Sequence, residues 1–111
     1  MTERLQERVA RNEVLFREIN ERIAAAAADH GADGHVYEFL CECADEKCLE
    51  RVALTVAEYE RIRGDAKRFV VVQRHVVPEA ERVVLHEAGH DVVEKHGTAG
   101  EIAESLDPRA A

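Results

Sequence analysis

Two clusters of side chains in this chain have the types and spacing for metal chemistry. The first is Cys41-Glu42-Cys43 followed by Cys48, a C-x-C-x4-C pattern. On a strand, residues i and i+2 point to the same face. Fully extended, their β-carbons lie roughly 7 Å apart. Two sulfurs bound to one zinc at ~2.3 Å must lie roughly 3.8 Å apart. A small bend at Glu42 and inward rotation of the side chains close that gap. The polar turn 44–47 can return Cys48 to the same point, so one knuckle can offer three thiolates. A fourth ligand would complete a tetrahedron, and histidine is the natural supplier. His75 ends the strand that carries Phe69-Val70-Val71-Val72 and precedes a proline-containing turn, and a strand end is where a ligand can leave the sheet. His86 and His90 compete with it; His30, His35 and His96 sit beside glycines or in polar turns and rank lower. Such a set suits Zn2+ better than iron. Three thiolate charges against the two of zinc leave the site one unit negative, which Lys47, Arg51 or Arg74 can offset. The competing readings are buried cysteines acting as small hydrophobes and a metal-free redox cluster. The polar setting CECADEKC speaks against the first.

The second cluster is HEAGH, residues 86–90. On a helix, H-E-x-x-H places two zinc ligands one turn apart with a glutamate base beside them. The flanks, Arg82 to Leu85 and Asp91 to Lys95, are rich in valine and read instead as two strands. With Glu87-Ala88-Gly89 as a three-residue hairpin loop, Gly89 falls where a left-handed residue is needed, and His86 and His90 face each other. A helix would set Gly89 at a cost of roughly 1 kcal/mol relative to Ala. No third ligand follows at a recognisable peptidase spacing, since His96 is only six residues beyond His90. A peptidase using His86, His90 and Glu87 is the remote alternative.

These residues must be positioned by the rest of the chain, which is long enough for one domain. Residues 3 to 29 read as one long helix, with Leu5, Val9, Asn12, Phe16, Ile19, Ile23 and Ala26 forming a heptad-like seam. The seam faces either the helix's own domain or a second copy. HGADG, residues 30 to 34, stops it. HVYEFLCEC and LERVALT read as strands, and Thr55-Val56-Ala57-Glu58 is a capping box opening a helix over 56–63. KRFVVVQRH is a third strand, and a short helix is expected around Ile102 to Leu106. The predicted fold is α+β: a long N-terminal helix, then a small, mostly antiparallel sheet with one short helix and a zinc knuckle of three Cys and one His. The expected divisions are a helix at 1–30, a zinc-stabilised module at 35–98 and a tail at 99–111.

Composition narrows the functions. The formal net charge of −8 disfavours duplex nucleic acid as a partner. Nothing approaches the ~20 apolar residues of a membrane span. The N-terminus is charged from residue 3 and lacks a signal-peptide apolar region, so a cytoplasmic location is expected. Three cysteines within eight residues make a poor disulfide framework, and in a reducing compartment clustered thiols more often bind metal.

The segment FLCECADEKCLERVALTVAEYERIR, followed by RFVVVQRHVVPEAERVV, resembles a group of small uncharacterised bacterial proteins. Their pattern is F-x-C-E-C-x4-C, then L-T-x2-E-Y-E-x2-R, R-F-x-V and G-H-x2-P-E. An N-terminal segment like NEVLFREIN, residues 12–20, often precedes it. The resemblance covers most of the chain and implies Cys41, Cys43, Cys48 and His75 as shared metal-type positions. This chain has Arg74 where the pattern has Gly, and the HEAGH histidines lie outside the pattern. The resemblance carries no activity with it. The expected function is a small, non-enzymatic, zinc-binding protein-interaction or regulatory module, self-associating or meeting a protein partner through residues 5–26. The alternative is a thiol-based redox or zinc-responsive regulator.

Overall fold

Alternation of apolar and polar residues makes the first hairpin. A computed structural model describes residues 3–29, 34–45 and 47–109. In it β1 (Val36–Leu40) pairs antiparallel with β2 (Arg51–Thr55), in a register running from Val36↔Thr55 to Leu40↔Arg51. Phe39, Val52 and Leu54 turn inward, while Glu38, Arg51 and Ala53 face out. Thr55 then ends the strand and starts α2 (Val56–Ile62) through the expected capping box: its hydroxyl accepts from Glu58 N at 3.1 Å, and the Glu58 carboxylate accepts from Thr55 N at 2.9 Å. The helix thereby aims Tyr59 and Ile62 at the core, where Tyr59 stacks on Phe39 at 4.7 Å.

The second sheet has the order β3-β5-β4, from β3 (Arg68–Val71), β4 (Glu81–His86) and β5 (Asp91–Lys95), all antiparallel. β5 is central, so Val92 and Val93 are buried. The fold is thus α+β as expected, with the strands divided between two small sheets. Glu42 links them. Its backbone N–H donates to Val70 O at 2.8 Å, and its carboxylate accepts from Val70 N at 2.9 Å.

α1 (Glu3–Asp29) packs on this framework, but not through the apolar seam. Its buried residues are Val9, Ala10, Glu13, Val14, Arg17, Asn20, Ala24 and Ala27, so that of the predicted series Val9 alone is fully buried and the stripe otherwise runs one residue along. Ile19 is 39% exposed and Ala26 also faces solvent, whereas Asn12, Phe16 and Ile23 are half-buried at the edge. The shift has a polar cause. Arg17 donates to Ala66 O (2.6 Å) and Ala103 O (3.0 Å) and lies over the Phe69 ring. Glu13 and Glu81 both hydrogen-bond the buried ammonium of Lys95. Buried charge is tolerated only when paired, and here each partner comes from another element.

α3 (Gly97–Ser105) starts earlier than the sequence suggests and covers α1 through Ala99 and Ala103. The helix stop HGADG lies outside the described residues except for Gly34, which takes φ 75°; His30 lies outside them too.

Candidate metal centre

The β1–β2 hairpin does not end where its regular strands end. Continuing the register by one pair sets Cys41 opposite Glu50, and Cys41 N does donate to Glu50 O at 3.1 Å. Two further steps set Cys43 opposite Cys48. The knuckle is therefore the tip of this hairpin. Cys48 N donates to Asp45 O at 3.0 Å and Lys47 N to the Asp45 carboxylate at 2.9 Å, which folds the tip back. Glu46 lies outside the described residues.

His75 arrives from the other sheet. β3 stops at Val71, four residues before the histidine, so His75 is carried by a turn and not by the strand itself. His75 N donates to Val72 O at 3.0 Å, and Arg74 takes φ 73°. A positive φ at the third residue of a four-residue turn is the type II signature, where glycine is favoured. Here an arginine adopts that conformation.

The four side chains meet. Ligand atoms of Cys41, Cys43, Cys48 and His75 all lie within 4.8 Å of one another, close enough to hold a metal ion. Among the described residues they form the one such group of His, Cys, Asp and Glu. His75 Nδ1 is 3.5 Å from Cys41 Sγ and 3.7 Å from Cys48 Sγ. Sulfur and nitrogen sharing a tetrahedral zinc at ~2.3 and ~2.05 Å would be roughly 3.6 Å apart. The donor set and its spacing thus fit such an ion. Cys41 and Cys43 are buried, whereas Cys48 is partly exposed and a cleft of about 290 Å³ opens beside Cys43 and His75.

Neighbouring groups hold the donors. Cys41 Sγ accepts from Val72 N at 3.1 Å. The interaction between the Cys41 and Cys43 side chains lowers Cys43 to about 5 and pushes Cys41 well above the usual thiol range. Burial raises Cys48. Glu42, fully buried between two of the cysteines, accepts from Asn20 Nδ2 (2.8 Å), Tyr59 OH (3.0 Å) and Val70 N. Its desolvation outweighs these donors and raises its pKa. Asn20 also brackets Leu40, accepting from its N–H at 2.7 Å and donating to its carbonyl at 2.9 Å. Asn12 donates to Ala44 O at 3.3 Å. One helix therefore fixes residues on both sides of Cys41 and Cys43. On the far side of the imidazole, His75 Nε2 lies 2.9 Å from a Glu50 carboxylate oxygen.

HEAGH forms a hairpin, as its valine flanks suggest, with different details. The loop holds four residues, Glu87 to His90, and is closed by Glu87 N donating to His90 O at 2.9 Å. His86 stands across from Asp91, not from His90, and its Nδ1 is 2.8 Å from the Asp91 carboxylate. Gly89 is not at positive φ, so the left-handed position expected of it is not used. His86 is solvated; His90 is buried and lines a cleft of about 410 Å³ with Glu58, Arg61, Arg68 and Glu87. Neither histidine belongs to a metal-binding group among the described residues.

The sequence reading placed the four donors but not Glu42, Asn20 or Glu50. The hairpin register would have pointed to Glu50; the other two carry no local signal. No model of a known protein family matches the chain, and neither curated proteins nor solved structures yield a match.

Proposed function

We propose that this is a zinc-binding module in which one Zn2+, held by Cys41, Cys43, Cys48 and His75, ties the tip of the first hairpin to the turn that follows β3. The observation that carries the reading is the mutual approach of four donors, three from the tip of the first hairpin and one from the turn after β3 in the other sheet. Each is of a type zinc prefers. The chain has few aromatics and a small core, and metal affinity adds directly to folding free energy in such domains. We read the role as non-enzymatic and cytoplasmic, with the protein presenting α1 to a protein partner or to a second copy. Leu15 and Ile19 on that helix are 56% and 39% exposed. Among the described residues no helix is long and apolar enough to cross a membrane.

Native mass spectrometry of the intact protein tests this. One zinc per chain is expected in the wild type and in His86→Ala/His90→Ala. His75→Ala should bind less, and Cys43→Ser should lose both zinc and thermal stability. Full zinc and unchanged melting in Cys43→Ser would refute the site. Zinc that depends on His86 and His90 would restore the peptidase reading.

The partial exposure of Cys48 favours a second reading, a redox-responsive site. Two zinc thiolates would pass two electrons to hydrogen peroxide, which takes up two protons from solvent and leaves as two waters, while a disulfide forms and Zn2+ departs. Zinc release by peroxide, reversed by a thiol reductant, would support it; resistance of the loaded site would exclude it.

A further inference from the structure

We propose that Glu50 is a positioning residue of the metal centre: its carboxylate holds the His75 ring in the tautomer and orientation that present Nδ1 to the ion. The inference rests on the metal reading above and specifies how the nitrogen ligand is prepared.

The geometry has two halves. His75 Nδ1 faces Cys41 and Cys48 at 3.5 and 3.7 Å, while Nε2 sits 2.9 Å from Glu50 Oε2. A neutral imidazole carries one N–H. A carboxylate at Nε2 can only accept, so it draws the proton there and leaves the Nδ1 lone pair free for a metal. Glu50 is itself held by the backbone, because its carbonyl accepts from Cys41 N at 3.1 Å in the extended hairpin register. Cys41 and the group that orients His75 are thereby set by one pair of facing residues. Glu38, on the same hairpin, faces solvent and stands across the strands from Ala53.

The Glu50 side chain is 58% exposed and the histidine 29%. As an ordinary surface pair this contact would add little. Acting through a metal bond, an outer-shell carboxylate changes affinity about 10- to 100-fold, and the exposure places this one at the low end, about tenfold.

The experiment is a double-mutant cycle on metal affinity. Zinc dissociation constants are measured by chelator competition, and cobalt(II) binding by its thiolate charge-transfer and d–d absorption. The proteins are the full-length wild type, Glu50→Ala, Glu50→Gln, His75→Ala and the Glu50→Ala/His75→Ala pair. Glu50→Ala is expected to weaken binding about tenfold in the wild type and not at all in the His75→Ala background. Glu50→Gln, which keeps an acceptor oxygen, should recover part of the loss. The cobalt d–d bands should shift in Glu50→Ala while the thiolate bands keep their intensity. An unchanged affinity, or an equal loss in both backgrounds, would overturn the proposal, because a general structural or electrostatic effect does not need His75. Absence of any thiolate–cobalt band in the wild type would instead remove the metal reading, and this inference with it.

Discussion

Replacing Asn20 with alanine removes three hydrogen bonds from one buried side chain: two to the backbone of Leu40 and one to the Glu42 carboxylate. The neutral pair contributes about 1 kcal/mol each, and the bond to the acid about 1.5 kcal/mol or more. The Leu40 groups are part-buried, so water recovers some of this. The expected loss is about 3 kcal/mol, a large share of the 5–15 kcal/mol typical of whole domains. Because Leu40 and Glu42 flank Cys41, metal affinity should fall as well. The assay is urea unfolding of wild type and Asn20→Ala, each with zinc and with a chelator. If the clamp orders the knuckle, the variant loses more stability with zinc than without it. A loss under 1 kcal/mol in both conditions would refute the clamp. An equal loss in the two would leave Asn20 stabilising the fold without positioning the cysteines.

Burial pushes the Glu13 carboxyl well above its ordinary value of 4.5, despite Lys95 beside it. A folded pKa above the unfolded one means that its stabilising contribution is complete below 4.5 and is lost as pH rises through the raised value. Glu13→Gln, a neutral isostere, should therefore gain on the wild type toward alkaline pH, read as unfolding free energy across a pH series; a parallel pair of curves would contradict this. Arg74→Gly should keep the metal and raise stability by up to about 1 kcal/mol, since φ 73° costs an arginine more than a glycine; a clear decrease in melting temperature would show that the arginine side chain matters more than its backbone. A β-carbon on Gly100 would lie 3.0 Å from Lys95 O, so Gly100→Ala should cost about 1–3 kcal/mol, whereas Gly89→Ala meets nothing and should be near neutral in the same melts.

The donors were legible because a metal demands particular residue types and the chain places three of them within eight positions. The capping box at Thr55 and the HEAGH hairpin were legible for a related reason: each is specified by residues adjacent in sequence. The face of α1 was not. Hydrophobic periodicity finds apolar stripes, and this helix docks through Glu13, Arg17 and Asn20 set among alanines, Val9 and Val14. Their partners lie 20 to 86 positions away, so nothing near them in the chain reveals the pairing. Glu42 and Glu50 were hidden among 23 acidic residues, distinguishable only once the two sheets had been brought together.

The distant partners of α1 also set an order of events during synthesis. α1 is made before the elements it docks on, and its length and alanine content let it form early. It cannot dock then, because Lys95 and the Ala103 carbonyl are made almost a whole domain later. Until they emerge, Glu13 and Arg17 stay in water, where a charged helix face is harmless and keeps the nascent chain from sticking. The hairpin that bears the cysteines and the turn that bears His75 are complete before that final stretch appears. Assembly at the knuckle can thus precede closure of the helix, and the charged groups that would be costly to bury alone are buried only when their hydrogen-bond partners arrive.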